Sequence, residues 1–80
     1  MYAMQLTNYT KEEYDAYISE CQTMGFDYIE YNVEYEGGAD FGAYSTNGEY
    51  WVQVNLDDNN EVLYIVCNKS KHNPFEEKNE

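Results

Sequence analysis

Hydrophobic and polar positions along the chain change period once, near residue 26. From residue 10 to 25, Tyr14, Tyr17, Ile18, Cys21 and Met24 step by three and four residues, which predicts one apolar helical stripe. Thr10 followed by Glu13 forms a capping box, and Tyr9 with Tyr14 suits a hydrophobic staple, so the helix is predicted to start at Lys11. Gly25 is placed to end it in the left-handed conformation. Glu12, Asp15, Ser19, Glu20 and Gln22 occupy the wet face.

Beyond the helix the period becomes two. Ile29, Tyr31, Val33 and Tyr35 alternate with Glu30, Asn32 and Glu34, predicting a half-buried strand with the first set inward. Residues 36–40 (Glu-Gly-Gly-Ala-Asp) read as a flexible turn and 41–45 as a short second strand. Asn47-Gly48 is the pair that type I′ hairpin turns prefer. A third strand over 49–56 puts Tyr50, Val52, Val54 and Leu56 on one face and Trp51, Gln53 and Asn55 on the other. After an Asp57-Asp58-Asn59-Asn60 turn, residues 61–67 form a fourth strand with Leu63, Ile65 and Cys67 inward. The expected fold is α+β: one N-terminal helix packed on a four-stranded antiparallel meander sheet. Residues 1–9 are an N-terminal segment in which Tyr2, Met4 and Leu6 alternate weakly and offer an edge strand; 10–67 are a single α+β domain; 68–80 read as a polar flexible tail.

Composition adds one large fact. At 42% apolar and 18% aromatic, the 80-residue chain is hydrophobic enough to fold, yet it carries sixteen acids against four lysines, a net charge of −12. All four lysines (Lys11, Lys69, Lys71, Lys78) lie outside residues 12–68, so the carboxylates there are expected to lack salt-bridge partners and to surround the domain with a negative field. Such a field disfavours direct binding to nucleic acid or an anionic bilayer and favours basic partners. Met1 to Leu6 has neither a basic n-region nor a long apolar run, which reads as a soluble, intracellular, cytoplasmic protein. Two cysteines, Cys21 and Cys67, are too few for a disulfide scaffold, and two buried thiols are the plainer expectation.

Chemistry is sparse. The single histidine, His72, lies in the polar tail, so no hydrolase base accompanies a Ser or Cys. Zinc spacing is missing, and the oxygen-rich run Asp57 to Glu61 lacks the EF-hand pattern, so an acidic turn is the simpler reading. No metal, cofactor or enzymatic activity is expected.

Two resemblances bear on identity. The pattern Tyr14-x-x-Tyr17-x-x-x-Cys21-x-x-x-Gly25-Phe26, then Phe41-x-Ala43-Tyr44-x-x-x-Gly48-x-Tyr50-x-Val52-x-Val54, then Asn60-Glu61-Val62 resembles small helix-then-meander domains of Firmicutes and their phages. Those are core and turn residues, so the resemblance implies a fold and no active site. In character, a small, acidic, tyrosine-rich domain also resembles phage-encoded anti-CRISPR proteins, some of which mimic nucleic acid. That resemblance implies a basic partner such as a CRISPR effector. The residues expected to meet it are Glu30, Glu34, Glu36, Asp40, Asp57, Asp58 and Glu61, with Glu12, Glu13, Asp15 and Glu20 as a second row. The sheet face away from the helix is expected to show Tyr28, Glu30, Asn32, Glu34, Trp51, Gln53, Asn55, Val62, Tyr64 and Val66. Trp51 and Tyr64 there are the aromatic anchors, either for that partner or for a homodimer whose acidity serves solubility.

Overall fold

A computed structural model describes residues 2–70. In chain order these are β1 (Tyr2–Thr7), α1 (Lys11–Thr23), β2 (Tyr28–Tyr35), β3 (Gly38–Tyr44), β4 (Tyr50–Asp57) and β5 (Val62–Lys69). All strands join one antiparallel sheet in the order β1-β5-β4-β3-β2. The class is α+β as expected, but the sheet has five strands rather than four. Residues 2–7 pair along β5, from Tyr2 opposite Cys67 to Thr7 opposite Val62. Without them β5 would present an unpaired row of backbone donors and acceptors beside the core. The last strand also runs further than expected. Asn68 and Lys69 pair with Trp51 and Tyr50, Ser70 donates its N–H to the Glu49 carbonyl, and residues 71–80 of the expected tail, His72 included, lie outside the described residues.

The helix is set by local chemistry. The Thr10 Oγ1 accepts from the Glu13 N–H at 3.3 Å, and the Glu13 carboxylate accepts from the Thr10 N–H at 2.9 Å. At the other end Gly25, at φ +114°, donates to the Gln22 carbonyl and Phe26 donates to that of Cys21, a Schellman closure. Met24 is the cap residue and therefore leaves the stripe, with 68% of its surface exposed.

Tyr14, Ile18 and Cys21 of α1 bury against Ala39, Phe41 and Ala43 of β3, Val52, Val54 and Leu56 of β4, and Leu63 and Ile65 of β5. Burying each large apolar side chain contributes about 1.5–3 kcal/mol, so these three central strands and the helix hold most of the folding energy. The β2 strand supplies none of these buried residues. The Tyr14 hydroxyl is sealed in without a hydrogen-bond partner, and burial, helped by the charge of Asp40, pushes its pKa well above that of a free tyrosine.

Three expectations about the second strand and its neighbours change. A β-bulge between Ile29 and Tyr31 shifts the register. Beyond it Asn32 and Glu34 pair with the core residues Phe41 and Ala39 and so lie on the helix side, whereas Tyr31, Val33 and Tyr35 face the open side. The strand is at the sheet edge, beyond the core that the helix covers, so its apolar residues gain more by lying over neighbouring β3 than by pointing at an empty inner face. The turn before β3 takes only Glu36 and Gly37, with Gly37 at φ +91°, so Asp40 is a strand residue and not part of a loop. The Asn47-Gly48 loop is no type I′ turn, since only Gly48 has positive φ. Asn47 instead accepts from the Ser45 hydroxyl and the Glu49 N–H through Oδ1.

The expectation of unpaired carboxylates also needs correcting at one point. Lys11, just outside the acidic span, places its Nζ 2.9 Å from Asp15 and 2.7 Å from Glu34. The hydrogen bonds to Glu34 and then to Asp15 raise its pKa above that of a free lysine. Both cysteines are free thiols; Cys21 is buried and its pKa is pushed up to about 11 by burial, while Cys67 is half-buried and also raised. Among the described residues no helix is long and apolar enough to cross a membrane.

Candidate protein-binding surface

Strand register lays out the sheet face opposite α1 in four rows. Tyr28, Tyr44, Trp51 and Asn68 form the first; Tyr31, Gly42, Gln53 and Val66 the second; Val33, Asp40, Asn55 and Tyr64 the third; Tyr35, Gly38, Asp57 and Val62 the fourth. Among the described residues no element covers this face. Tyr35 and Tyr64 are exposed at 52% and 41%.

The first two rows make a continuous aromatic tract. Ring centroids are 5.9 Å apart for Tyr28 and Tyr44, 4.8 Å for Tyr44 and Trp51, and 6.0 Å for Tyr31 and Trp51, all tilted as aromatic pairs prefer. Gly42 makes this packing feasible. A Cβ there would stand 2.5 Å from the Tyr31 ring and 2.7 Å from the edge of Trp51, so both rings lie directly over the glycine backbone. Gly38 plays the same part for Tyr35, whose ring would be 2.8 Å from a Cβ at that position. The Tyr35 hydroxyl then accepts from Asn55 Nδ2 at 3.0 Å, while the same Nδ2 donates to the Ala39 carbonyl.

The third row holds an anomaly. Asp40 is partly covered, and its Oδ1 is buried without any hydrogen-bond partner. Its register neighbours are Val33 and Asn55, with Tyr31 one row before and Tyr35 one row after. Its charge reaches Tyr31, whose pKa is raised first by burial and then by Asp40.

The turn acids gather at one end of the sheet. Asp58 N–H donates to the Gly37 carbonyl, so the turn carrying Glu36 touches the turn carrying Asp57, Asp58 and Glu61. Tyr9 N–H donates to the Glu61 carbonyl, which brings in the first turn of the helix with Glu12 and Glu13, and Lys11 adds Asp15 and Glu34. The result is an acidic pole at which, among the described residues, Lys11 is the neutralising cation. Asp57 is not wholly available there, because its carboxylate accepts from both the N–H and the side-chain amide of Asn60. Those contacts account for the oxygen-rich turn, and no cluster of metal-ligand residues forms among the described residues.

The expected site residues therefore separate. Glu34, Glu36, Asp57, Asp58 and Glu61 share the pole, Asp40 and Tyr64 stand mid-face, and Trp51 lies six residues along β4 from Asp57, about 20 Å away at strand spacing. Glu30 lies at the bulge, exposed and apart from the pole. Tyr31 and Tyr35 were read as core and are surface instead. The signal that could have revealed them is glycine inside a strand, since Gly38 and Gly42 mark close approach by something larger. Two shallow grooves, of about 400 Å³ beside Met24, Thr46 and Tyr50 and about 260 Å³ along Met4, Gln5 and Tyr64, bring together no carboxylate, thiol or imidazole. No family model matches the chain, and no curated protein or solved structure matches it.

Proposed function

We propose that this chain is a non-enzymatic binding protein of the anti-CRISPR kind, acting in the cytoplasm of a bacterial host by occupying a basic, nucleic-acid-binding surface of a defence complex such as a CRISPR effector. The observation that carries the reading is the acidic pole. Carboxylates from two turns and the helix start are brought to one end of the sheet, in a chain of net charge −12, where they offer negative charge in the place of phosphates. Like charges gathered this closely destabilise the compact state, a cost consistent with a partner that supplies the opposite charge. Association would be steered electrostatically and weakened by salt. The test uses a panel of recombinant CRISPR effectors in a DNA-binding competition across a salt series. The chain is expected to displace DNA from one of them at low salt, and a Glu36→Gln, Asp58→Asn, Glu61→Gln variant is expected to lose that ability. Displacement by the variant at wild-type strength would overturn the reading, as would the absence of displacement across the panel.

The uncovered aromatic face favours a second reading, an accessory module that dimerises through Trp51 and Tyr64. Sedimentation at rising concentration separates the two, because a Trp51→Ala variant would abolish the dimer while the charge-neutralised variant would retain it.

A further inference from the structure

We propose that Asp40, with Tyr31 and Tyr35 on either side, is the seat for an arginine side chain of the protein partner; this rests on the binding function above and names the chemistry that its sheet face recognises. A buried acceptor with no donor is uncommon in a folded protein, and a charged one is a sharper exception, since desolvation penalises the carboxylate without compensation. Asp40 is such a case: its Oδ1 is sealed and unpartnered, in the middle of a sheet face that α1 leaves open. The surroundings select the missing donor. Tyr31, Tyr35 and, beyond Tyr31, Trp51 present aromatic surface beside the carboxylate, and a cation is drawn to ring faces as well as to the anion. A guanidinium fits better than an ammonium, because it is planar, stacks on aromatic rings and offers paired N–H groups to a carboxylate. Asp40 as a residue is only partly covered and Tyr35 is half exposed, so a side chain arriving from solvent reaches the seat, and it reaches the buried Oδ1 once a neighbouring side chain shifts aside. Asn55, already committed to Tyr35 and the Ala39 carbonyl, closes the side opposite Val33.

The test is titration of the full chain with hexa-arginine and with hexa-lysine peptides at fixed ionic strength, read by Trp51 emission and by calorimetry. Wild type is expected to bind hexa-arginine more tightly than hexa-lysine and to show a Trp51 response. Asp40→Asn is expected to lose that preference and to bind both peptides at the weaker level, while its thermal midpoint stays level. Tyr31→Leu, which leaves the carboxylate in place, is expected to reduce the arginine preference without removing charge. Unchanged preference in Asp40→Asn, or equal binding of both peptides by wild type, overturns the proposal. The Glu36→Gln, Asp58→Asn, Glu61→Gln variant distinguishes the two readings. If it fails to compete with DNA while wild type competes but shows no arginine preference, the seat falls and the binding function stands. If the arginine preference persists in a chain that displaces no effector's DNA, the function falls and the seat stands.

Discussion

Replacing Gly42 by alanine tests the packing on which the open face depends. The added Cβ would lie 2.5 and 2.6 Å from two Tyr31 ring atoms and 2.7 Å from Trp51, whereas carbon atoms in contact prefer about 3.5–4.0 Å. Both rings therefore have to retreat by about 1 Å, and Trp51 is already held at 4.8 Å from the Tyr44 centroid. Overpacking of this kind costs about 1–3 kcal/mol. Stiffening of the unfolded chain by the Gly→Ala change returns about 0.4–1 kcal/mol, leaving a net loss of about 1–2 kcal/mol. For a domain of this size each kcal/mol lowers the thermal midpoint by about 4–8 °C. Urea unfolding followed by Trp51 fluorescence and far-UV circular dichroism measures the loss. A Tyr31→Ala background should remove part of it, giving a coupling of about 0.5 kcal/mol or more. A Gly42→Ala protein as stable as wild type, with Trp51 emission unmoved, would mean that the rings do not rest on Gly42.

Phe41→Ala removes a fully buried ring between Val54 and Asn32, and should cost about 3–5 kcal/mol in urea unfolding, a large fraction of the stability of an 80-residue domain. Thr10→Ala breaks the capping box and should lower stability by about 1 kcal/mol, with Thr10→Asn close to neutral. Alkaline pH should destabilise the fold: Cys21, Tyr14, Tyr31 and Lys11 all have folded-state pKa values raised above their unfolded ones, so their stabilising effect is complete below those values and is lost as pH rises. The urea midpoint is expected to hold to about pH 9 and then fall, and a midpoint that rises between pH 9 and 11 would contradict the assigned burial.

What was legible in the chain depended on whether the signal was local. Thr10, Glu13 and Gly25 act within one helical turn of their own backbone, and the helix begins and ends where they indicate. The inward sets of β4 and β5 were legible too, because Val52, Val54, Leu56, Leu63 and Ile65 sit where a covering helix makes apolar residues necessary. Alternation alone does not say which side is covered. In β2 it gave the right period and the wrong face beyond residue 30, since a bulge has no strong sequence signature and an edge strand escapes the helix on either side. Gly37-Gly38 suggested a long loop, which hid both the strand position of Asp40 and the resting place of Tyr35. The acids of the pole, Glu36, Asp58, Glu61 and Glu12, could be named from the chain, but their separation from Glu30 and Asp40 could not, because it depends on turns distant in sequence meeting.

The pairing of β1 with β5 also sets the order in which the molecule can be built. The strands from β2 to β5 join in sequence through short connections, so their contacts are local and can form early. By contrast, residues 2–7 leave the ribosome ahead of the other strands of the sheet, and their docking edge does not exist until residues 62–69 follow. At about 5–20 residues per second the first strand waits roughly 3–12 s, exposed and unpaired, while the rest of the sheet is synthesised. The first strand of the sheet to be made is thus the last to find its place, and completion of the sheet is timed by translation of its final strand.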